Sequence, residues 1–137
     1  MVSKVNIAES IKEAVSSASR AISENPEIEI NYGGMGSSLP NPPNSHGELA
    51  SFRGKADSLA CADRFRDKTI YVDAGTQRLN SLMQEMENVR VEVLGSKKYP
   101  GIASNINAKF EEKCTLYESF ENKEDILEIA LEAWLRK

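Results

Sequence analysis

The sequence predicts a mainly α-helical protein of about five helices in one compact bundle, with a single small β element after the first helix. Apolar residues recur every three or four positions through most of the 137 residues, which is the periodicity of amphipathic helices. Residues 27–32 instead alternate polar and apolar side chains strictly, as a half-buried strand does. A chain of this length can bury a sizeable core, so we expect one domain over residues 1–137.

Punctuating residues set the predicted boundaries of the elements. Asn25-Pro26 ends the first helix, and the Gly- and Pro-rich stretch 33–47, which carries no formal charge, is a loop compatible with a hairpin return. Asp73 and Thr76 are candidate caps for the third helix, and Asn122 is a candidate N-cap for the fifth. Residues 69–72 are left open between a short strand and a loop. The predicted helices cover residues 5–24, 48–66, 76–94, a segment from Ile102 and a segment after Asn122.

Composition excludes several classes of function. Seventeen basic residues against 21 acidic ones give a net charge of −4, which argues against a general nucleic-acid or anionic-membrane binder. No apolar run approaches the roughly 20 residues of a membrane span. Two cysteines, Cys61 and Cys114, are too few for a disulfide scaffold and indicate the reducing cytoplasm. His46 is the only histidine, so a multi-histidine zinc site cannot be built, and we predict no catalytic, cofactor or metal residues in this chain.

Two charged residues fall within apolar stripes. On a helical wheel, Arg90 lies in the middle of a third-helix stripe made of Leu79, Leu82, Met83, Met86, Val89 and Val93. Asp63 lies in the apolar stripe of the second helix. A buried charge is costly unless it is paired, so we predict a structural ion pair between Arg90 and Asp63.

The segment that follows the third helix forms a basic corner. Lys97 and Lys98 come where the helix carbonyl dipoles point outward, so both cations are favourable there, and Tyr99 follows them. The corner is too small for nucleic acid. We predict that Lys97, Lys98 and Tyr99, together with Glu92 on the helix itself, contact a protein partner.

Three segments in this order resemble the N-terminal region of the CobT-type subunit of aerobic, ATP-dependent cobaltochelatase. The first is Pro26-Glu27-Ile28-Glu29-Ile30 after a helix that ends in Arg20-Ala21-Ile22. The second is Arg53-Gly54-Lys55-Ala56-Asp57. The third and most specific covers residues 87–106, where Arg90-Val91-Glu92-Val93-Leu94-Gly95 precedes the basic corner and Gly101-Ile102-Ala103-Ser104-Asn105-Ile106 follows it.

The resemblance implies a role in cobalamin biosynthesis. Such subunits work with an AAA+ ATPase subunit, and together they drive a large chelating subunit that inserts cobalt into hydrogenobyrinic acid a,c-diamide. The complex uses ATP, magnesium and cobalt. It is a ligase that forms nitrogen–metal bonds, whereas this domain alone is implied to be a non-catalytic assembly domain. The family's acidic linker and C-terminal von Willebrand A-type domain have no counterpart here, since no Asp-x-Ser-x-Ser occurs, so the resemblance implies an N-terminal domain of a longer subunit. The alternative is a helical adaptor or regulatory module unrelated to cobalt.

Overall fold

Five α-helices lie in the part of the chain that the structure describes, as the sequence predicted. The computed structural model describes residues 4–70, 72–117 and 123–137. The helices are α1 (Lys4–Ser23), α2 (His46–Phe65), α3 (Gln77–Lys98), α4 (Pro100–Tyr117) and α5 (Lys123–Leu135). None of the helices within these three ranges is long and apolar enough to cross a membrane.

The second helix is the centre of the bundle, because it packs against α1, α3 and α4. Two apolar clusters hold it there. One joins α1 to α2 and to the loop between them through Val15, Leu39, Phe52 and Ala56. The other joins α2 to α3 and α4 through Cys61, Val91, Ile102 and Ile106. Every one of these eight side chains is at least nine-tenths buried, so the core lies on both sides of α2.

Two glycines allow the helices around α2 to approach closely. A Cβ on Gly54 of α2 would overlap the backbone carbonyl oxygen of Asn105 in α4, and one on Gly95 of α3 would overlap the Cys61 sulfur. Neither backbone nor a buried thiol can move aside cheaply, so both contacts require a residue without a side chain.

The predicted β element after α1 is wrong, because the described residues contain no strand. Residues 27–31 run without a ladder, and the one pairing within the described ranges is an isolated bridge between Tyr32 and Leu39. Two backbone hydrogen bonds support it, from Leu39 N to Asn31 O (3.0 Å) and from Gly33 N to Leu39 O (2.8 Å). A strand needs a partner along its length, and the Pro-rich chain beyond Leu39 leads away. The segment is ordered instead by Leu39 in the core and by Tyr32, whose hydroxyl hydrogen-bonds Ser16 (2.8 Å).

The predicted start of α3 is confirmed, whereas its predicted end is wrong. Thr76 caps α3 as predicted, since its hydroxyl accepts a hydrogen bond from Leu79 N (3.2 Å). The helix does not end at Leu94, however, but continues through Gly95 to Lys98, so the corner shrinks to Tyr99. Residues 69, 70 and 72 are not strand, and the cap predicted at Asn122 lies outside the described residues.

The buried face of α3 is not the one that its hydropathy predicts. Leu79, Met83 and Met86 of the predicted core stripe are exposed, and Arg90 is exposed with them. Of the predicted stripe the helix buries Val89, and it also buries Val91, Glu92 and Gly95, which the stripe did not include. Helices rarely bury a glutamate while they expose methionines. The ion pairs that Glu92 forms with residues outside α3 explain why it is buried here.

Candidate interaction surface and buried ion network

Glu92 is the most deeply buried charged side chain of α3, with 1% of its surface exposed. It receives three hydrogen bonds from three different elements. Ser58 of α2 and Lys109 of α4 donate to one carboxylate oxygen, and Arg136, just after α5, donates to the other. Glu92 therefore ties α2, α4 and the end of α5 to α3, and it does not form part of the surface. The prediction that Glu92 contacts a partner is wrong for this fold.

A second carboxylate continues the same ion network. Glu132 of α5 is 3% exposed and accepts from Lys113 of α4 (2.7 Å) and from Arg136 (2.6 Å). Lys113 also reaches Glu85 of α3 at 3.3 Å. Three carboxylates and three cations thus alternate across α3, α4 and α5, so the network is neutral as a whole.

The pKa shifts in the network follow from this pairing. Burial by itself would raise the pKa of Glu92, but the Lys109 charge and the hydrogen bonds from Lys109, Ser58 and Arg136 outweigh it and lower the pKa below its ordinary value. Burial likewise opposes the charge on Lys113, yet Glu132 and Glu85 raise its pKa. The pKa of Arg136 is raised by Glu92 and Glu132 against the same effect of burial. All three groups are therefore ionised at neutral pH, and the carboxylate of Glu92 is not poised as a general base.

Helix α5 meets the rest of the bundle with a buried charged residue and with apolar residues that are only half-buried, among them Ile129 and Leu131. Its buried described side chain is Glu132, while Ile126, Leu127 and Trp134 are exposed. Arg136 also lies over the Phe110 ring of α4, 5.3 Å from its centroid. The ion pairs of Arg136 and Glu132 thus contribute to the docking of α5.

The predicted ion pair between Asp63 and Arg90 is not formed. Arg90 donates two hydrogen bonds (2.6 and 2.8 Å) to Glu87, one turn earlier on α3, and a third to the backbone oxygen of Phe65 (2.9 Å). Asp63 accepts from Asn25 (3.0 Å) and lies 3.4 Å from Lys68. Because Arg90 lies on the solvent side of α3, no buried charge requires compensation there.

The basic corner lies where α1, α2 and α3 all end. Arg64 of α2 donates to the Tyr99 hydroxyl (2.9 Å) and to Ile22 O (3.1 Å), and it pairs with Glu24 (2.7 Å). Glu24 has a left-handed backbone (φ 55°) just after α1, which is uncommon for a residue other than glycine. Three helix C-termini direct carbonyl dipoles at this corner, so the cations are electrostatically favourable.

The three predicted corner contacts differ in their surroundings. Tyr99 is half-buried and is held by Arg64. Lys98 is exposed, with its amine 3.9 Å from Glu24 and 5.9 Å from the Tyr99 ring centroid. Lys97 is exposed and points away along the outer face of α3. That Lys97, Lys98 and Tyr99 bind a partner remains a prediction, and the two lysines have the exposure that it requires.

The segments that carried the family resemblance meet one another inside the bundle. Asp57 of α2 is 4% exposed and accepts a hydrogen bond from Asn105 of α4 (2.8 Å), next to the Gly54 contact. Burial raises the pKa of Asp57, which the hydrogen bond from Asn105 and the charge of Arg53 only partly offset. Gly54, Asp57 and Asn105 therefore fix the crossing of α2 and α4. Arg53, Ala56 and Asp57 also line a cleft of about 240 Å³ between α1 and α2.

The Cys61 thiol is buried in the core, and the His46 imidazole lies apart from it on the surface. Burial raises the pKa of the Cys61 thiol to about 12, with Asp57 and Glu92 adding to the effect, so the thiol stays protonated. His46 lies exposed in the first turn of α2. In the part of the chain that the structure describes, no three histidine, cysteine, aspartate or glutamate side chains form a group that could hold a metal ion.

Sequence reasoning missed the network, although its spacing was present. Glu85 and Glu92 are seven residues apart on α3, Lys109 and Lys113 four apart on α4, and Glu132 and Arg136 four apart at the end of α5. Each pair therefore lies on one face of its helix. Three such faces with alternating charge are a signal for facing helices, but the hydropathy of Leu79, Met83 and Met86 masked it.

Comparison with models of known protein families identifies the family of this chain. The family model described as "Cobalamin biosynthesis protein CobT" matches residues 6–137, which is nearly the entire chain. The chain belongs to this family and is therefore associated with cobalamin biosynthesis. No solved structure matches it.

Proposed function

We propose that this member of the CobT family is a non-catalytic assembly domain of an ATP-dependent cobaltochelatase. In this proposal it docks on the AAA+ ATPase subunit and on the large chelating subunit in the cytoplasm. Cobalt and hydrogenobyrinic acid a,c-diamide are the substrates of that complex, and ATP and magnesium are held by the other chains. The present chain would be followed in the full subunit by a linker and a von Willebrand A-type domain.

The observation that carries the proposal is the contrast between a buried ion network whose charges are all paired and a surface that exposes large apolar and basic side chains. Glu92, Glu132, Lys113 and Arg136 are all occupied in holding helices together. The Cys61 thiol is protonated and buried. Large apolar and basic side chains, in contrast, remain exposed along α3 and at the corner, where another protein can reach them. Such an arrangement supports binding rather than bond making.

The test is capture of the separately purified ATPase subunit by the tagged chain, with ATP and magnesium present. Wild-type chain and a Lys97→Glu/Lys98→Glu variant are compared. A Lys12→Glu/Lys68→Glu variant is the matched control, because it makes the same change in net charge elsewhere on the surface. Circular dichroism verifies that all three are folded.

Each outcome has a distinct meaning. Capture by the wild type and the control, with loss in the corner variant, supports the assembly role and a contact at Lys97 and Lys98. Capture by all three supports the assembly role and refutes the corner as its contact. Capture by none refutes the proposal and favours the adaptor unrelated to cobalt.

A further inference from the structure

A continuous exposed stripe runs along the outer face of α3. At 100° per residue its members fall within an arc of about 80°, and from first to last they span about 27 Å of helix. Its four apolar side chains each keep between 38% and 46% of their surface exposed. We call it the outer stripe; its members are Leu79, Met83, Met86, Arg90, Leu94 and Lys97.

The outer stripe is not needed for the packing of α3. The helix already buries Val91 and Gly95 away from the stripe, against Cys61 of α2 and Ile102 of α4. A row of large apolar side chains left in water on a helix that has its own core is typical of a binding surface. Methionines suit this use, because their flexible side chains adapt to the shape of a partner.

Charge is unevenly distributed along the stripe. Its N-terminal half is apolar, whereas its C-terminal half carries Arg90 and Lys97, with Lys98 beside them. The arc holds no carboxylate between residues 79 and 97, all of which the structure describes. Glu87 flanks the stripe and is paired with Arg90 through two hydrogen bonds, so the two together carry no net charge. The positive charge of the stripe is therefore that of Lys97, with Lys98 beside it. The stripe is therefore locally basic in a chain whose net charge is −4.

We propose that the outer stripe docks an acidic amphipathic helix of the ATPase subunit, an inference that rests on the function proposed above. Apolar residues of that helix at i, i+4 and i+7 would cover Leu79, Met83 and Met86. Its carboxylates would meet Lys97 and Lys98. A second copy of this chain is a poorer occupant. Antiparallel α3 pairing would bury Lys97 against Leu79 and Arg90 against Met86, and parallel pairing would set like charges opposite each other.

The experiment measures the affinity of the tagged chain for the ATPase subunit by biolayer interferometry with ATP and magnesium. The stripe variant is Met83→Glu/Met86→Glu. The matched control is Ile7→Glu/Ile126→Glu, which places the same groups on exposed apolar positions of α1 and α5. We expect the stripe variant to bind at least about tenfold more weakly and the control to stay within about twofold of the wild type. Overlapping peptides of the ATPase subunit, tested against the wild type, identify the docking segment.

The outcomes separate this inference from the proposed function. Selective loss in the stripe variant, with binding of an acidic amphipathic peptide, supports it. Unchanged affinity of the stripe variant overturns it but leaves the assembly role intact. If the stripe variant loses affinity but the peptide that binds the wild type is basic, the proposed charge complementarity is wrong. Dimerisation of the wild type that disappears in the stripe variant assigns the stripe to self-association and overturns the inference. Failure of the wild type to bind overturns both proposals.

Discussion

Replacing Glu92 by glutamine removes one negative charge from the interior while it changes the shape of the side chain little. Lys109 and Arg136, whose side chains are 21% and 13% exposed, then lose their shared carboxylate. Breaking a buried ion pair by removing one partner typically costs about 3–5 kcal/mol. Two features lower that cost here. Arg136 keeps Glu132 at 2.6 Å, and the glutamine oxygen still accepts one hydrogen bond. We therefore expect Glu92→Gln to lower the free energy of unfolding by about 2–3 kcal/mol.

Urea unfolding followed by far-ultraviolet circular dichroism measures this loss. Glu111→Gln is the matched control, because Glu111 is exposed on α4 and its substitution should cost no more than about 0.5 kcal/mol. A Glu92→Met/Lys109→Met double variant should recover about 1–3 kcal/mol relative to the sum of the single variants, since the two charges leave together. A loss below about 1 kcal/mol for Glu92→Gln, without such coupling, would refute the reasoning.

Three other predictions concern pH, helix packing and α5. Because the folded-state pKa of Glu92 is lowered, its stabilisation is present above the ordinary value of 4.5 and is lost as pH falls through the folded pKa. Stability measured below pH 4.5 should thus fall less steeply in Glu92→Gln than in the wild type, and equal slopes would contradict this. Gly54→Ala should cost about 1–3 kcal/mol, because the new Cβ overlaps the Asn105 oxygen, whereas Gly101→Ala meets open space and should be neutral or stabilising in the same urea assay. Arg136→Gln should speed amide hydrogen exchange throughout α5 while α2 and α4 stay protected; uniform protection of α5 would show that ion pairs do not hold it.

The number of helices and most of their boundaries could be predicted because they depend on local properties. Periodic apolar residues, the Thr76 cap and the break at Pro26 act within a few residues of chain. The prediction of a β element was wrong for a non-local reason. The alternation of residues 27–32 favours an extended segment, but it cannot supply the neighbouring strand that a ladder needs.

The sequence by itself determined an α-helical chain, its membership of the CobT family and an exposed basic corner at Lys97 and Lys98. Tertiary structure alone decided which face of α3 is buried. Hydropathy assigns Met83 and Met86 to the core and Glu92 to solvent, because it counts the cost of burying a charge without its partners. Lys109 and Arg136, which lie 17 and 44 residues away along the chain, offset that cost once α4 and α5 have packed. The same packing left the methionines outside, where they form the surface that we propose for a partner.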